Sequence, residues 1–263
     1  CFYDNPSDRL IVFGVTGTEG KSSTVNFIWQ LLRACGHKAG FISTVEYSYG
    51  GDALPNPQHQ TTPEAPIIQH HLNMMLENGC KFAVVETSSH GLSTKLNRCG
   101  NISFDCGLFM NVTLEHLEFH KTFDQYRSDK ANLFRALDKS NHNKTIAGEK
   151  KLIPSLGIVN LEDQSAEYFA EATKSKVIGF TSNGKAGRAA DENGNKLELP
   201  AIPARVKEYF TATDIKSDAT SLTFNFASND GTVHTAVSSK LPGSCNAYNI
   251  MAAILAVKPY VSQ

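Results

Sequence analysis

The feature that most constrains this chain is a glycine-rich stretch, residues 14–23, which separates an apolar run from a helical pattern. The apolar residues that follow it repeat at i, i+3, i+4 and i+7, which predicts one apolar face of a helix. In a strand–loop–helix of this kind, backbone N–H groups and the positive end of the helix dipole converge on an anion. Lys21 is then predicted to reach the β- and γ-phosphates of a nucleotide, and the Ser22 hydroxyl to ligate Mg²⁺.

The spacing of the glycines differs from the general phosphate-binding loop. That pattern has a glycine six residues before the lysine, where this chain has Val15, and the glycines here are Gly14, Gly17 and Gly20. A glycine-rich turn beside a surface lysine is the alternative. Because strand, Gly-Lys-Ser and helix occur in register, the pattern favours a nucleotide-binding loop of a variant kind.

Composition narrows the class of protein. The chain has 263 residues, of which 41% are hydrophobic, and a formal net charge of −1. This length accommodates one large α/β domain or two small ones, and the charge argues against a nucleic-acid partner bound by bulk electrostatics. No apolar run approaches membrane-spanning length, no signal peptide opens the chain, and the six cysteines lack a CxxC pair, so a cytoplasmic protein with reduced thiols is expected. Both ends look cut, which indicates an excised domain.

Predicted strands and helices alternate along most of the chain, which is typical of a mostly parallel, doubly wound α/β sheet with helices on both faces. The predicted strands cover residues 10–13, 39–45, 81–85, 104–110, 157–160 and 176–180. Residues 205–240 differ, because two segments with period-two alternation flank an Asn-Asp-Gly turn and predict a small antiparallel sheet. Residues 47–60 and 141–151 are predicted to be loops, and Thr62 is predicted to cap a helix.

The segment after the third predicted strand carries residues that suit a metal or a nucleophile. Glu86 stands where ligands of open α/β sheets bind, so it is well placed for Mg²⁺, with a solvated loop acid as the alternative. Ser88, Ser89 and His90 suggest a hydrolase. Neighbours in sequence rarely form such a pair, however, and the G-x-S-x-G elbow is missing, so a hydrolase is not expected.

Three further groups have a structural and a functional interpretation. His116 and His120 have the i, i+4 spacing of zinc ligands, but the HExxH order is absent and no cysteine is spaced as a partner, which argues against a zinc enzyme. Lys130, taken alone, is predicted to be a surface charge on an amphipathic helix. Asn246 and Asn249 lie on the first turns of the last predicted helix and are either caps or amides that read an adenine edge.

In their order along the chain, these motifs resemble the Mur ligases, ATP-dependent amide-forming enzymes of peptidoglycan precursor synthesis. Residues 16–23 are similar to the family loop TGTNGKTT, which accounts for the glycine spacing. The other matching motifs are TTPE at 61–64, ETSSHGL at 86–92, NVTLEHLEFH at 111–120 and LPGSCNAYN at 241–249. The serine-serine-histidine step points to the MurE type, which adds the third residue of the stem peptide, and the resemblance spans nearly the whole chain.

The resemblance implies roles for individual residues. ATP is expected to contact Gly17, Thr18, Glu19, Gly20, Lys21, Ser22, Ser23, Asn246 and Asn249. Two Mg²⁺ sites are implied, with Ser22 and Glu86 near the γ-phosphate and His116 at the second. Lys130 matches the lysine that the family carbamylates, and a carbamate is an anion able to share the metal charge. The UDP-muramoyl dipeptide substrate is expected at Thr61, Thr62, Ser88 and Arg98. The implied catalytic set is Lys21, Glu86, His116 and Lys130.

The chain also departs from the family pattern. Glu19 stands where asparagine is usual and places a negative charge beside the phosphates, which lowers the expected nucleotide affinity. The segment after Leu92 is two residues longer than usual, so Arg98 is the counterpart of a substrate-gripping arginine while the accompanying glutamine has none. Glu115 and Glu118 replace aspartates, and Cys245 replaces an aromatic residue.

The activity implied by the resemblance is acyl-phosphate chemistry, in which a substrate carboxylate attacks the γ-phosphate of ATP and an amine then displaces phosphate. The family's MurE-type enzymes have three domains, and residues 1–263 match only the central, ATP-binding one, so its partners are its own missing N- and C-terminal domains. A monomer that turns over poorly by itself is expected. The alternatives are a non-catalytic nucleotide-binding module and another ligase of the superfamily, of folylpolyglutamate or cyanophycin type. The Thr-Thr-Pro and Ser-Ser-His motifs favour the muramoyl substrate, and the residues that select the added amino acid are expected beyond residue 263.

Overall fold

The structure, a computed structural model, describes residues 3–261 apart from residues 59, 114, 116, 185 and 187–197; the side chain of Leu117 is also outside the description. It contains an 11-stranded, mostly parallel sheet with helices packed on both faces, and a separate 2-stranded sheet. The predicted fold class is therefore confirmed.

The strands and helices follow one another with short connections in most places. The strands are β1 (Ile11–Thr16), β2 (Ala39–Ile42), β3 (Glu46–Ser48), β4 (Leu54–Pro55), β5 (Phe82–Glu86), β6 (Cys106–Phe109), β7 (Asn143–Ile146), β8 (Glu149–Leu152), β9 (Leu156–Asn160), β10 (Lys176–Thr181), β11 (Glu208–Ser217), β12 (Leu222–Ser228) and β13 (His234–Ser239). The helices are α1 (Lys21–Ala34), α2 (Ala65–Glu77), α3 (Ser89–Leu92), α4 (Leu117–His120), α5 (Phe123–Leu137), α6 (Ala166–Glu171) and α7 (Asn246–Val261), and a 3₁₀ turn covers Pro6–Arg9.

The order of strands in the large sheet is β13-β12-β11-β10-β9-β6-β1-β5-β2-β3-β4. The seven central strands, in the order β11-β10-β9-β6-β1-β5-β2, all pair parallel with one another. The outer strands β3, β4, β12 and β13 pair antiparallel with their neighbours. Successive connections run to opposite sides of β1, so the carboxyl ends of β1, β5 and β6 form the crevice where open α/β sheets bind ligands. Val15 of β1 pairs with Glu86 of β5, which places the carboxylate beside the glycine-rich loop.

Two apolar layers hold the helices to the sheet. Helices α1 and α7 pack on one face, around Phe13 and Met251, and α2, α5 and α6 pack on the other, around Phe134. Helix α5 approaches β1 closely, because a Cβ added at Gly14 would lie 2.5 Å from Leu133 Cδ1. In the described part of the chain, no helix is both long and apolar enough to cross a bilayer.

The antiparallel strands predicted within residues 205–240 are present as β11 to β13, and they extend the large sheet instead of standing apart from it. Two loop predictions were wrong. Residues 47–60 include the short strands β3 and β4, and residues 141–151 form most of the β7–β8 hairpin. Although the hairpin is polar in composition, the side chain of Lys144 is fully buried, and its Nζ lies 2.6 Å from Asp105 Oδ2. This ion pair fixes the hairpin to the start of β6.

The predicted cap of α2 was also wrong. The helix begins at Ala65 with Glu64 as its N-cap residue, and Thr62 lies before it. The Thr62 hydroxyl instead donates to the Glu86 carbonyl at 3.1 Å and accepts from the Ser88 N–H at 2.8 Å. Thr62 therefore joins the start of α2 to the end of β5.

Candidate functional site

The glycine-rich loop connects β1 to α1 and is fastened to the end of β6. Gly20, the N-cap residue of α1, has φ +79°, a left-handed conformation that glycine adopts without steric cost. The backbone N–H groups of Thr18 and Glu19 donate to Asn111 Oδ1 at 3.0 and 2.8 Å. These bonds fix the loop to the segment after β6, next to the start of α1, whose first N–H groups lack partners within the helix. Ser23 is exposed on that first turn.

Glu86 is the hydrogen-bonding centre beside the loop. The residue is 1% exposed, and its carboxylate accepts from Ser22 Oγ at 2.9 Å. Thr44, after β2, adds its N–H at 2.9 Å and its hydroxyl at 3.1 Å. Ser22 and Glu86 are therefore close enough to act as oxygen ligands of one divalent cation. Thr44 was missed by the sequence analysis, because only the parallel pairing of β2 with β5 brings it to this carboxylate.

Two lysines point toward the same cavity. Lys21 Nζ donates to the Thr18 carbonyl at 2.8 Å, and burial lowers its pKa against the opposing charge of Glu86. Lys130 on α5 is 2% exposed, and its Nζ donates to the Gly17 carbonyl at 2.6 Å. Burial, reinforced by the charge of Lys21, lowers the pKa of Lys130 well below its usual value. Its interpretation as a surface charge, made from the residues alone, was wrong.

The site cavity has a volume of about 260 Å³ and lies between the loop, the end of β5 and α5. Its lining includes Lys21, Thr61, Thr62, Ser88, Arg98 and Lys130. Thr61 Oγ1 lies 2.8 Å from Thr44 Oγ1, and Arg98 donates to the Thr62 carbonyl at 2.8 Å and pairs with Glu64. The structure thus brings the residues expected at the muramoyl substrate to one wall of the cavity that the lysines face.

The two asparagines of α7 lie on the other side of the loop. Asn249 Nδ2 donates to Asn246 Oδ1 at 3.0 Å, and Thr24 Oγ1 donates to Asn249 Oδ1 at 3.2 Å. A Cβ added at Gly20 would lie 2.5 Å from Asn249 Oδ1, so the glycine permits a close approach. The amide of Asn246, a half-buried residue, also donates to the Pro242 carbonyl. Asn249 therefore borders the glycine-rich loop from the side of α7, and Asn246 is hydrogen-bonded to Asn249.

The second expected metal site is only partly described. His116 lies outside the described residues, while Glu115 lines the site cavity and acts electrostatically on Lys21 and Lys130. Within the described ranges, no three His, Cys, Asp or Glu side chains cluster closely enough to hold a metal ion. A larger cavity, about 370 Å³, lies between the 3₁₀ turn and α5, and it contains none of the candidate site residues.

Comparison with known proteins identifies the family. The chain matches the Mur ligase middle domain over residues 15–257. The chain belongs to the Mur ligase family. Among its relatives are proteins named UDP-N-acetylmuramyl-tripeptide synthetase from Treponema denticola, 49% identical over 97% of this chain and 44% of the relative, and from Treponema pallidum, 47% identical over 97% and 46%.

This Mur ligase domain spans less than half the length of those relatives. A solved structure of a UDP-N-acetylmuramoyl-L-alanyl-D-glutamate–2,6-diaminopimelate ligase has the same fold, with a TM-score of 0.69 at 23% identity, over 95% of this chain and 43% of that one. The resemblance found from the motifs is thereby confirmed at the level of the family, and the family uses ATP and generally Mg²⁺.

Proposed function

We propose that this chain is the central ATP- and Mg²⁺-binding domain of a ligase that adds the third stem-peptide amino acid to UDP-N-acetylmuramoyl-L-alanyl-D-glutamate. One observation carries the proposal, namely that Lys21, the Ser22–Glu86 pair and Lys130 converge on the loop of residues 17–20. Support for the substrate comes from relatives at 49% and 47% identity that are named UDP-N-acetylmuramyl-tripeptide synthetase.

The side chains beside the glycine-rich loop fit a nucleoside triphosphate with Mg²⁺. Lys21 is a mostly buried cation whose pKa is lowered by burial, and phosphate oxygens in the cavity would stabilise its charge. Ser22 and Glu86 present hydroxyl and carboxylate oxygens, which are the ligands that Mg²⁺ prefers. Mg²⁺ held there would neutralise the charge that develops on the phosphates.

The chain's own residues position the reactants. The substrate carboxylate attacks the γ-phosphorus of ATP, the bond to the β-phosphate oxygen breaks, and ADP and an acyl phosphate result. An amine then attacks the acyl carbon, the amide C–N bond forms, and the bond to the phosphate oxygen breaks. Inorganic phosphate leaves, and the amine nitrogen loses one proton. Lys21 holds phosphate oxygens throughout, and Thr61, Ser88 and Arg98 orient the muramoyl peptide. Catalysis is mostly alignment and charge neutralisation.

We further propose that Lys130 is carbamylated and contributes to a second Mg²⁺ site with His116. Carbamate formation joins the neutral amine to CO₂ and releases a proton, so a lowered pKa favours it at neutral pH. The product is an anion beside the cation of Lys21. Growth or incubation with ¹³C-bicarbonate should give a carbamate carbon resonance in the intact protein. The resonance should be absent from Lys130→Met and present in Lys139→Met, a change in the turn after α5.

The remaining parts of the proposal concern the whole protein. We propose that further domains, one binding uridine and one selecting the amino acid, complete a monomeric cytoplasmic ligase. Because this chain spans 44% of its T. denticola relative, room for two such domains exists in a protein of that length. The exposed carboxylate of Glu19 in the loop is the observation that favours a non-catalytic nucleotide-binding module instead.

The deciding experiment is a ligation assay on the full-length protein with UDP-muramoyl dipeptide, ATP, Mg²⁺ and, in parallel, diaminopimelate or lysine. Phosphate release and the mass of the product should both require the dipeptide and one of the amino acids. Lys21→Ala should abolish turnover, whereas Lys81→Ala, an exposed lysine at the opposite end of β5, should not. ATP binding without ligation of any amino acid would favour the non-catalytic module.

A further inference from the structure

A buried serine–histidine–aspartate chain lies behind the wall of the site cavity. His120 places Nδ1 2.8 Å from Asp129 Oδ2 and Nε2 3.0 Å from Ser89 Oγ. The second carboxylate oxygen of Asp129 accepts from Gln125 Nε2 at 3.0 Å. Ser89, His120 and Asp129 are 2%, 3% and 4% exposed. They come from α3, α4 and α5, so the serine lies within hydrogen-bond distance of a histidine 31 residues away in sequence.

The partners fix the direction of these hydrogen bonds. An ionised carboxylate only accepts, so the proton on the imidazole resides on Nδ1 and is donated to Asp129. In the neutral ring Nε2 is then an acceptor, and the hydroxyl of Ser89 donates to it. The chain runs from Ser89 through His120 to Asp129, and in the neutral ring these partners are all satisfied by the tautomer with its proton on Nδ1.

This chain connects the segments that carry the site residues. Ser89 directly follows Ser88 and is three residues from Glu86, whereas Asp129 directly precedes Lys130. The His120 ring also packs 5.1 Å from the ring of Tyr126, whose hydroxyl lies 3.1 Å from Thr18 Oγ1 in the phosphate loop. One imidazole therefore ties the end of β5 to α5 and braces the helix against the loop.

We propose that His120 is a positioning residue, and that the Ser89–His120–Asp129 chain sets the separation between the segment of Glu86 and Ser88 and the helix that bears Lys130. This inference rests on the proposed ligase function. Ser89 borders the site cavity but is 2% exposed, which favours a role in holding the wall over one as a nucleophile. Phosphoryl transfer depends on alignment, and a misplacement of about 1 Å costs on the order of 100-fold in rate.

The test uses Asp129→Asn in the full-length protein, because asparagine keeps the size but offers an amide donor to Nδ1 and so moves the imidazole proton to Nε2. Nitrogen-15 NMR of histidine reports the tautomer, and steady-state kinetics report turnover. The expected result is a changed tautomer and a kcat lowered roughly 10- to 100-fold, with KM for ATP within about threefold. Ser89→Ala should lower kcat similarly while leaving the Nδ1–H tautomer in place.

The matched control is Asp124→Asn on the same helix, whose side chain is 82% exposed and should leave kcat unchanged. A changed tautomer with unchanged kcat would overturn the positioning role, as would unchanged kcat in Ser89→Ala. Labelling of Ser89 by a fluorophosphonate probe would also overturn it, because it would show an activated nucleophile. Absence of ligation by the unsubstituted protein would instead overturn the proposed function, and this inference with it.

Discussion

Lys144→Met is expected to destabilise the fold by about 3–5 kcal/mol, the cost of breaking a buried ion pair by removing one partner. Lys144 and Asp105 both have fully buried side chains, with Nζ 2.6 Å from Asp105 Oδ2. The ammonium also donates to the carbonyls of Leu10 at 2.9 Å and Ser103 at 2.7 Å. Methionine fills the volume of the stem but leaves these acceptors without their donor.

The loss of stability depends on the partners that remain for the carboxylate of Asp105. Its carboxylate still accepts from the Val12 N–H at 2.8 Å and contacts His142 Nδ1 at 3.1 Å, so the charge remains but loses its closest cation. Asp105→Asn combined with Lys144→Met removes that charge as well. Since partners in direct contact couple by about 0.5–3 kcal/mol, the double variant should be more stable than the sum of the two single changes.

Urea unfolding, followed by fluorescence and circular dichroism together, measures the effect. With a denaturant slope of about 3 kcal/mol per M, the midpoint of Lys144→Met should fall by about 1 M or more. Lys151→Met is the matched control, because Lys151 is the cross-strand neighbour of Lys144 and its side chain is 49% exposed. Its loss should stay below about 1 kcal/mol. Equal losses in the two variants would refute the account of the buried pair.

Three further predictions concern pH and the nucleotide loop. The hydrogen bond to Asp105 raises the pKa of His142 above 6.5. The stabilisation from protonated His142 is therefore complete below the pKa of the unfolded state and is lost as the pH rises through the pKa of the folded state. In His142→Gln, the urea midpoint should depend less on pH between about pH 5.5 and about pH 8.5. Glu19→Asn should tighten ATP binding about two- to fivefold in calorimetry, with a smaller gain at high salt, and an equal gain at high salt would exclude an electrostatic cause. Gly20→Ala and Gly36→Ala should both lose about 1–2 kcal/mol, since both glycines have positive φ. Only Gly20→Ala should also weaken ATP binding, because a Cβ at Gly36 meets nothing within 4 Å.

The local sequence pattern was sufficient to predict the central strand–loop–helix and the position of Glu86 beside it. The apolar run, the glycines and the helix start of residues 10–32 are contiguous, so their strand–loop–helix structure follows from periodicity and backbone chemistry. Glu86 was placed correctly beside the loop because parallel strands end at a common edge. Motif order then identified the family from segments that are far apart in sequence.

Residues whose environment is made by distant segments were not predictable in this way. Lys130 has the spacing of the buried face of α5, four residues after Tyr126, and its surface assignment rested on residue type alone. The carbonyl of Gly17 that accepts from its amine comes from the distant glycine-rich loop. Lys144 lies in a polar hairpin, and only the starts of β1 and β6 reveal its acceptors. Asn111 and Thr44 are likewise defined by the strands that meet the loop. For Lys144, Asn111 and Thr44 local composition carries no comparable signal, because their burial and partners depend on tertiary packing.

Calorimetry of ATP binding to this chain, with and without Mg²⁺, measures whether residues 17–23 and Glu86 form a nucleotide site. Binding is expected to depend on Mg²⁺ and to weaken roughly 10- to 150-fold in Lys21→Ala, the equivalent of a charged hydrogen bond of about 1.5–3 kcal/mol. Lys81→Ala, an exposed lysine outside the site, should bind as the unsubstituted chain does. Binding that is independent of both Mg²⁺ and Lys21, or no binding at all, would contradict the assignment of residues 17–23 and Glu86 to a nucleotide site.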